Sequence, residues 1–215
     1  MKVLDFKFFE DLDLTYKNPR HLMHKKMRLV LKHVKTGKLL IDVGCGTGEF
    51  LVQLRDRFDS LVGIDASSNS IEYASRKIER YENISLYKGE LQSFHFPNQH
   101  FDTCLCLDVL EHVQNLFPLL QEVHRILRPG AEVIVTVPNW YDKIVSGVFR
   151  INPAHVNTLL PWTWMTLFRN AGFRIKFCRA VDFPILKLDL LARRIYFLGM
   201  CILIVAVRQP DRVNG

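Results

Sequence analysis

The chain alternates short apolar runs with segments whose apolar residues recur at helical spacing. The runs end at glycine or at an acid, which is typical of buried parallel strands. The pattern predicts strands at 39–43, 61–64, 84–87, 101–107 and 132–137 and helices at 48–58 and 70–81, with a third helix that follows the loop 108–114 and runs to about 127. Asn69 or Ser68 is expected to cap the second helix, and Arg128-Pro129-Gly130 to form a turn. The alternation predicts an α/β fold, a parallel sheet with helices on both faces.

The two ends of the chain differ from this middle. Asn18-Pro19 opens a helical stretch that runs to about 33. A segment rich in Trp, Tyr, Asn and Pro (138–161) leads into a helix that Ala171-Gly172 closes, and strands follow at 173–181 and 200–207. No long crossover helix ends the chain, so the last two strands are expected to pair antiparallel. This topology places the intervening segment 182–199 at the carboxyl edge of the sheet, where open α/β sheets bind ligands.

A glycine-rich turn after the first strand carries the clearest chemistry. Asp42 ends the strand, and Gly44, Gly46 and Gly48 follow at alternate positions around Cys45. Glycines let the backbone turn sharply and approach a ligand, with the next helix N-terminus pointing at it. The spacing G-x-G-x-G differs from the G-x-G-x-x-G of dinucleotide-binding proteins, so the turn alone does not identify its ligand.

Three further strands end in an acid or a glycine. The second strand ends at Asp65, followed by Ala66, about twenty residues after the glycines, where a carboxylate can accept both hydroxyls of a ribose. The third ends at Gly89-Glu90, followed by Leu91, and the fourth at Leu107-Asp108. Because the carboxyl ends of parallel strands share one edge, these residues are the candidate cofactor site together with Asp42, Gly44, Cys45, Gly46 and Gly48.

In this combination the sequence resembles the class I S-adenosylmethionine-dependent methyltransferases, particularly the small-molecule group like those of ubiquinone biosynthesis. The matching residues are Asp42 to Gly48, Gly63-Ile64-Asp65, Phe101-Asp102, Leu107 to Val113, Leu127 to Gly130 and Ala171-Gly172-Phe173. The resemblance runs from about 39 to 207 and implies a Rossmann-like seven-stranded sheet of order 3-2-1-4-5-7-6 with strand 7 antiparallel. It also implies S-adenosylmethionine as cofactor, with S-adenosylhomocysteine as product.

The same resemblance implies how the cofactor is held. The glycine turn would hold its methionine part, Asp65 the ribose hydroxyls and the Glu90 region the adenine. The family commonly has Asp at the position of Glu90. The residue expected to contact the adenine is therefore the one that departs from the family pattern. We expect one methyltransferase domain over 1–215: a basic helical cap (1–37), a cofactor-binding core (38–137), lid segments on the substrate side (138–199) and the last strand (200–208).

Two histidines are candidates for removing a proton from the methyl acceptor. His112 follows the fourth strand directly, and His155 follows the fifth, where the resembling family often has a lid histidine. Tyr141 is expected to pack within the lid. Glu111, His112 and Asp108 could in principle hold a divalent metal, but the sequence shows no further clear ligand, so no metal site is predicted.

The composition and the lengths of the apolar runs restrict the class of protein and its location in the cell. The 215 residues are 48% hydrophobic and 24% charged, which is ordinary for a globular protein and excludes wholesale disorder. The longest apolar run, 195–207, is too short for a confident membrane span, and the first ten residues have no apolar signal core, so we expect a cytoplasmic chain. The five cysteines read as reduced thiols, and Cys104 and Cys106 as strand core. The oligomeric state stays open.

The net charge of +7 is unevenly distributed. Residues 42–142 carry eight Lys and Arg against fifteen Asp and Glu, whereas 16–38 and 143–215 each sum to +8. An acidic middle suits a cationic sulfonium cofactor. Since the basic flanks cover the acceptor side of this topology, we expect a small anionic or lipid-like acceptor, with the apolar and basic segment 183–198 as its lid and peripheral contact with a membrane surface.

Two alternatives stay open. The acceptor could be RNA or protein, contacted by Lys17, Arg20, Lys25, Lys26, Arg28 and Lys32. Nucleic acid is disfavoured because the chain lacks the Asn-Pro-Pro-Tyr-type and Pro-Cys motifs of base-modifying enzymes and an RNA-binding appendage. The chain could instead be a non-catalytic partner subunit with a cofactor-type fold, against which the complete glycine turn and Asp65 argue.

Overall fold

The computed structural model describes residues 22–139, 155–181 and 201–210. Its helices are α1 Leu22–His33, α2 Glu49–Leu54, α3 Ser68–Ile78, α4 Leu116–Ile126 and α5 Pro161–Asn170, and its strands are β1 Gly37–Val43, β2 Phe58–Asp65, β3 Ile84–Lys88, β4 Phe101–Leu107, β5 Leu127–Pro138, β6 Phe173–Val181 and β7 Cys201–Arg208. Short 3₁₀ turns lie at Arg55–Arg57, Leu91–Ser93 and Leu110–His112.

The strands form one seven-stranded sheet of order β3-β2-β1-β4-β5-β7-β6. The first five strands pair parallel, and β7 pairs antiparallel with both β5 and β6. The predicted fold class is therefore confirmed, including the return of the last strand. The segment 182–199, which we expected at the carboxyl edge, lies outside the described residues, as do residues 140–154 of the predicted lid.

Alternation along the strands builds a core on each face of the sheet. On one face Leu40 and Leu105 pack with Val30 of α1, with Val34 directly after this helix and with α2. On the other face Ile41, Cys104 and Cys106 pack with α4 and with Trp164 of α5. All these side chains are at most 5% exposed, as period-two alternation requires of strands covered on both faces. The interpretation of Cys104 and Cys106 as core residues is confirmed.

Several local boundaries differ from the prediction for tertiary reasons. The helix predicted over 48–58 ends at Leu54, because Phe58 is the first residue of β2 and pairs with Gly37. The cap of α3 is Ser67, whose hydroxyl accepts a hydrogen bond from Ser70 N at 3.3 Å, so the expectation of Asn69 or Ser68 is wrong. Residues 128–130 belong to β5, whose register against β4 shifts there, so they are not a separate turn.

Within the described ranges no helix combines the length and the apolar character that crossing a membrane requires. The helix α1 instead turns the buried Met27 and Val30 inward, as does the buried Val34 directly after it, and leaves Arg28 and Lys32 exposed. It is thus an amphipathic helix packed on the sheet.

Gly63 of β2 is packed so closely by its neighbours that a side chain has no room there. An ideal Cβ there would lie 2.6 Å from Leu51 Cδ1, 2.7 Å from Leu86 Cδ2 and 2.9 Å from Cys45 Sγ. We expect Gly63→Ala to lower the free energy of unfolding by about 1–3 kcal/mol, because a packed core cannot absorb the added methyl group. Urea unfolding measures this, with Ser85→Ala at an exposed position of β3 as the control. Equal stability of the two variants would show that the core relaxes freely.

Candidate functional site

The carboxyl ends of β1 and β2 meet at the glycine turn. Gly44, Gly46 and Gly48 have φ of 74°, 51° and 73°, all in the left-handed region that favours glycine. The amides of Gly44 and Cys45 both donate to Ile64 O, at 2.7 and 2.9 Å, and so fix the turn against β2. A Cβ on Gly44 would overlap Val109 Cγ2 at 2.2 Å, whereas one on Gly46 would meet nothing within 4 Å. The backbone at Gly46 is therefore open to a ligand.

Asp65 connects this turn to the next helix. Its Oδ2 accepts from Gly46 N at 2.8 Å and its Oδ1 from Ser67 N at 2.8 Å. Burial raises the pKa of Asp65, while the two backbone N–H groups act in the opposite direction. Each carboxylate oxygen can accept a further hydrogen bond, so Asp65 retains acceptors for two vicinal hydroxyls.

Asp42 lies beneath the turn and is 2% exposed. Among the described residues its Oδ1 has no hydrogen-bond partner. Burial, assisted by the charge of Asp65, raises the pKa of Asp42 to about 7. A ligand that brings a positive charge or a hydrogen-bond donor would supply the partner that this buried carboxyl oxygen lacks.

The other predicted cofactor residues occupy different environments. Ala66 and Glu90 are exposed at the edge of the sheet, and Leu107 is half-buried. Leu91 is 1% exposed within the core, and the thiol of Cys45 is directed at Gly63. The side chains of Leu91 and Cys45 therefore pack in the core beneath the site. Gly89 N donates to Asp65 O at 2.9 Å, which keeps the end of β3 beside Asp65.

Asp108, at the end of β4, has a φ of 56°. Thr136 of β5 holds it, because Asp108 N donates to Thr136 O at 2.9 Å and Thr136 Oγ1 donates to Asp108 Oδ1 at 3.0 Å. The remaining oxygen, Oδ2, forms an ion pair with Lys26 Nζ of α1. The sequence placed Lys26 only in a possible RNA-binding stripe, since nothing local links residues 82 positions apart.

The two candidate histidines come together beyond β4. The ring centroids of His112 and His155 are 5.0 Å apart with the rings at 67°. Val156 N and Asn157 N both donate to Glu111 O, at 2.8 and 3.1 Å, and Asn157 Nδ2 donates to Val113 O at 2.5 Å. The chain after the fifth strand is thereby anchored on the 3₁₀ turn Leu110–His112. Tyr141 lies outside the described residues.

Glu111 is the residue of this group that the sequence underrated. It is 2% exposed, and within the described part of the chain its Oε2 has no hydrogen-bond partner. Burial and the nearby Asp108 raise the pKa of Glu111 to about 8, and Lys26 acts in the opposite direction. The pattern that could have indicated it is an acid three residues after Asp108 and next to His112.

The chain is similar in sequence to known methyltransferases. A family model described as a methyltransferase domain matches residues 41–135. The chain is similar to demethylmenaquinone methyltransferase of Bacillus licheniformis, with 27% identity over 132 residues that cover 60% of this chain and 57% of the relative. It is also similar to sterol 24-C-methyltransferase of Aspergillus fumigatus, with 27% identity over 162 residues, 66% of this chain and 41% of the relative. The chain thus spans about half the length of the curated relatives it matches.

A solved S-adenosylmethionine-dependent methyltransferase from Aquifex aeolicus has the same fold. It superposes with a TM-score of 0.69 at 19% identity and covers 95% of this chain and 99% of its own. S-adenosylmethionine is the cofactor that these similarities imply, and the site fits it. The open backbone at Gly46, the hydroxyl acceptors of Asp65 and the unpaired oxygen of Asp42 are what its amino acid and ribose require.

The raised pKa of Asp42 has a consequence for stability. Because an unfolded Asp titrates near pH ~4 and folded Asp42 at about 7, the folded state binds the extra proton between these values. The stability contribution of Asp42 is therefore greatest at low pH and is lost as pH rises through this window, by up to about 4 kcal/mol. We expect the Tm of Asp42→Asn minus that of the wild type to increase from pH 4 to 7 and then to level off. A difference that does not change with pH would contradict this.

Proposed function

We propose that the chain is a class I S-adenosylmethionine-dependent methyltransferase and that it transfers the cofactor's methyl group to a small, anionic or lipid-like acceptor. The observation that carries the proposal is the joint presence, at one edge of the sheet, of the open glycine turn, the carboxylate of Asp65 and the unpaired Asp42. S-adenosylmethionine supplies a methyl group on a positively charged sulfur. The side chains of this chain bind that cofactor and align the acceptor with it.

The cofactor half of the site follows from its hydrogen-bonding groups. The turn from Gly44 to Gly48 would hold the methionine part, Asp65 the ribose hydroxyls and the edge at Glu90 the adenine. The carboxyl groups of Asp42 and Asp65 at this edge favour the positively charged sulfonium over its uncharged thioether product, which assists product release. Catalysis then consists mainly of holding donor and acceptor in line, since a sulfonium leaves without an acid.

The acceptor half lies beyond Asp108. Lys26, His112 and His155 surround it, and two of the three come from segments that flank the cofactor-binding core. We assign His112 and His155 to the acceptor, consistent with the sequence prediction that both take part in catalysis. The two flanking segments of the sequence, 16–38 and 143–215, each sum to +8, and this positive charge supports an anionic acceptor.

A lipid-like acceptor is supported by the relatives. The names of the similar proteins refer to demethylmenaquinone and to a sterol, and both of these acceptors are largely apolar. The exposed Arg28 and Lys32 of α1 would face an anionic membrane surface from which such an acceptor is drawn. In the RNA alternative Lys26 would contact phosphate, whereas the structure pairs it with Asp108.

Isothermal titration with S-adenosylmethionine tests the cofactor half. The wild type should bind, and Asp65→Asn should bind at least about tenfold more weakly, because an amide loses the charge and one acceptor oxygen. Asp59→Asn, an exposed acid on the same strand β2, is the matched control and should bind like the wild type. A wild type that does not bind would favour the partner-subunit alternative, and unchanged affinity in Asp65→Asn would contradict the assigned ribose contact.

Labelled S-adenosylmethionine tests the acceptor half. Incubation with a membrane lipid extract, with total RNA and with protein should transfer label to the lipid-soluble fraction, and His112→Ala and His155→Ala should each slow the transfer at least about tenfold. His95→Ala, an exposed histidine away from the site, should not slow it. Label found only in RNA or protein would overturn the acceptor class, and full rates in both site variants would overturn the role of the histidines. Flotation with anionic liposomes at low salt tests membrane contact separately, and absence of co-migration would exclude it.

A further inference from the structure

Glu111, His112 and His155 form a compact set of metal-ligating groups. Each offers one ligand atom, a carboxylate oxygen or an imidazole nitrogen, and these atoms all lie within 4.8 Å of one another. Ligand atoms around one metal ion are separated by about 3–3.5 Å when metal–ligand distances are near 2.1 Å, so a small adjustment of side chains brings all three into range. The sequence supplied Glu111 and His112 as neighbours, and the fold adds His155 as the third ligand.

The state of Glu111 is an independent observation that points to a cation. The side chain is 2% exposed, and its Oε2 has no partner among the described residues. A buried carboxylate oxygen without a partner carries a desolvation cost that a bound cation removes. Lys26, whose charge acts on Glu111, forms an ion pair with Asp108.

The backbone also holds the third ligand in place. Val156 N and Asn157 N donate to the carbonyl oxygen of Glu111, and Asn157 Nδ2 donates to the carbonyl oxygens of Leu110 and Val113. These bonds join the residues directly after His155 to the 3₁₀ turn that carries the other two ligands. A site whose ligands come from two segments is preorganised when such bonds connect the segments.

We propose that Glu111, His112 and His155 bind one divalent transition-metal ion at the acceptor side of the site. Two imidazoles and one carboxylate suit Zn²⁺, Mn²⁺ or Fe²⁺, whereas Mg²⁺ prefers oxygen ligands alone. Three protein ligands leave coordination positions open, as in metal sites that take substrate. Asp108 is not part of the group whose ligand atoms lie within 4.8 Å of one another, and its carboxylate is paired with Lys26.

A metal ion at this position would restrict the acceptor to molecules that can coordinate it. This inference rests on the proposed function. An open position on the metal binds an oxygen, so the acceptor carries a hydroxyl, enol or carboxylate oxygen at or beside the atom that receives the methyl group. The metal held by Glu111, His112 and His155 would lower the pKa of a bound hydroxyl, so that its proton would pass to solvent water and the oxygen anion would remain bound. The two imidazole nitrogens then act as ligands, which replaces the proton-acceptor role predicted for them from sequence.

Metal titration of the full-length chain, purified without a histidine tag and treated with chelator, tests the site without cofactor or acceptor. Co²⁺ serves as a spectroscopic probe of coordination and Zn²⁺ as the calorimetric ligand. We expect one equivalent to bind, and Glu111→Gln, His112→Ala and His155→Ala each to weaken binding at least about tenfold, since loss even of a group that supports a ligand costs about 10–100-fold. His95→Ala, exposed and outside the cluster, should bind like the wild type.

Each variant is also titrated with S-adenosylmethionine to show that it folds. Loss of metal binding with cofactor affinity retained supports the site. Absence of binding by the wild type, or binding by all three variants as tight as that of His95→Ala, would overturn the proposal and leave the cofactor half of the proposed function unaffected. If the wild type binds metal but not S-adenosylmethionine, the metal site stands and the proposed function fails.

Discussion

The site depends on the position of one carboxylate, that of Asp65. Its two oxygens hold Gly46 N and Ser67 N, and its backbone carbonyl accepts from Gly89 N, so one residue connects the turn after β1, the start of α3 and the end of β3. These bonds form only because β1, β2 and β3 run parallel in register and end at the same edge. The ribose contact that we propose for Asp65 therefore uses a group that the fold has already oriented.

A second constraint is the concentration of buried acids at this edge. Asp42 and Glu111 are each 2% exposed, each has an oxygen without a partner among the described residues, and each has a raised pKa. Such groups reduce the stability of the free protein, and they are common where a ligand supplies the missing charge. Asp42 lies beneath the proposed sulfonium cofactor and Glu111 beside the proposed metal. In both halves of the site, a buried carboxyl group thus lies where the proposed ligand brings a positive charge.

How far the sequence could predict this fold depended on the range of the interaction involved. The strands were predictable because burial on both faces leaves continuous apolar runs, and the glycine turn because only glycine adopts its φ values without strain. The ends of α2 and α3 were not, since Phe58 joins β2 through pairing with Gly37 and Ser67 becomes the cap beside Asp65. In the candidate site, the same local signals pointed to the glycines and Asp65, whereas they placed Lys26 only among possible RNA contacts and Glu111 only in a metal set that was not predicted.

The sequence by itself determined the order of elements, the sheet they build and which acids and glycines lie at its carboxyl edge. These features follow from patterns that are only a few residues long. Only the tertiary structure decided that Lys26 of α1 pairs with Asp108 and that His155 reaches Glu111 and His112. These contacts join positions far apart in the chain. They exist because packing α1 on the sheet, and anchoring the chain after His155 on the turn Leu110–His112, bring distant side chains together in a way no local pattern encodes.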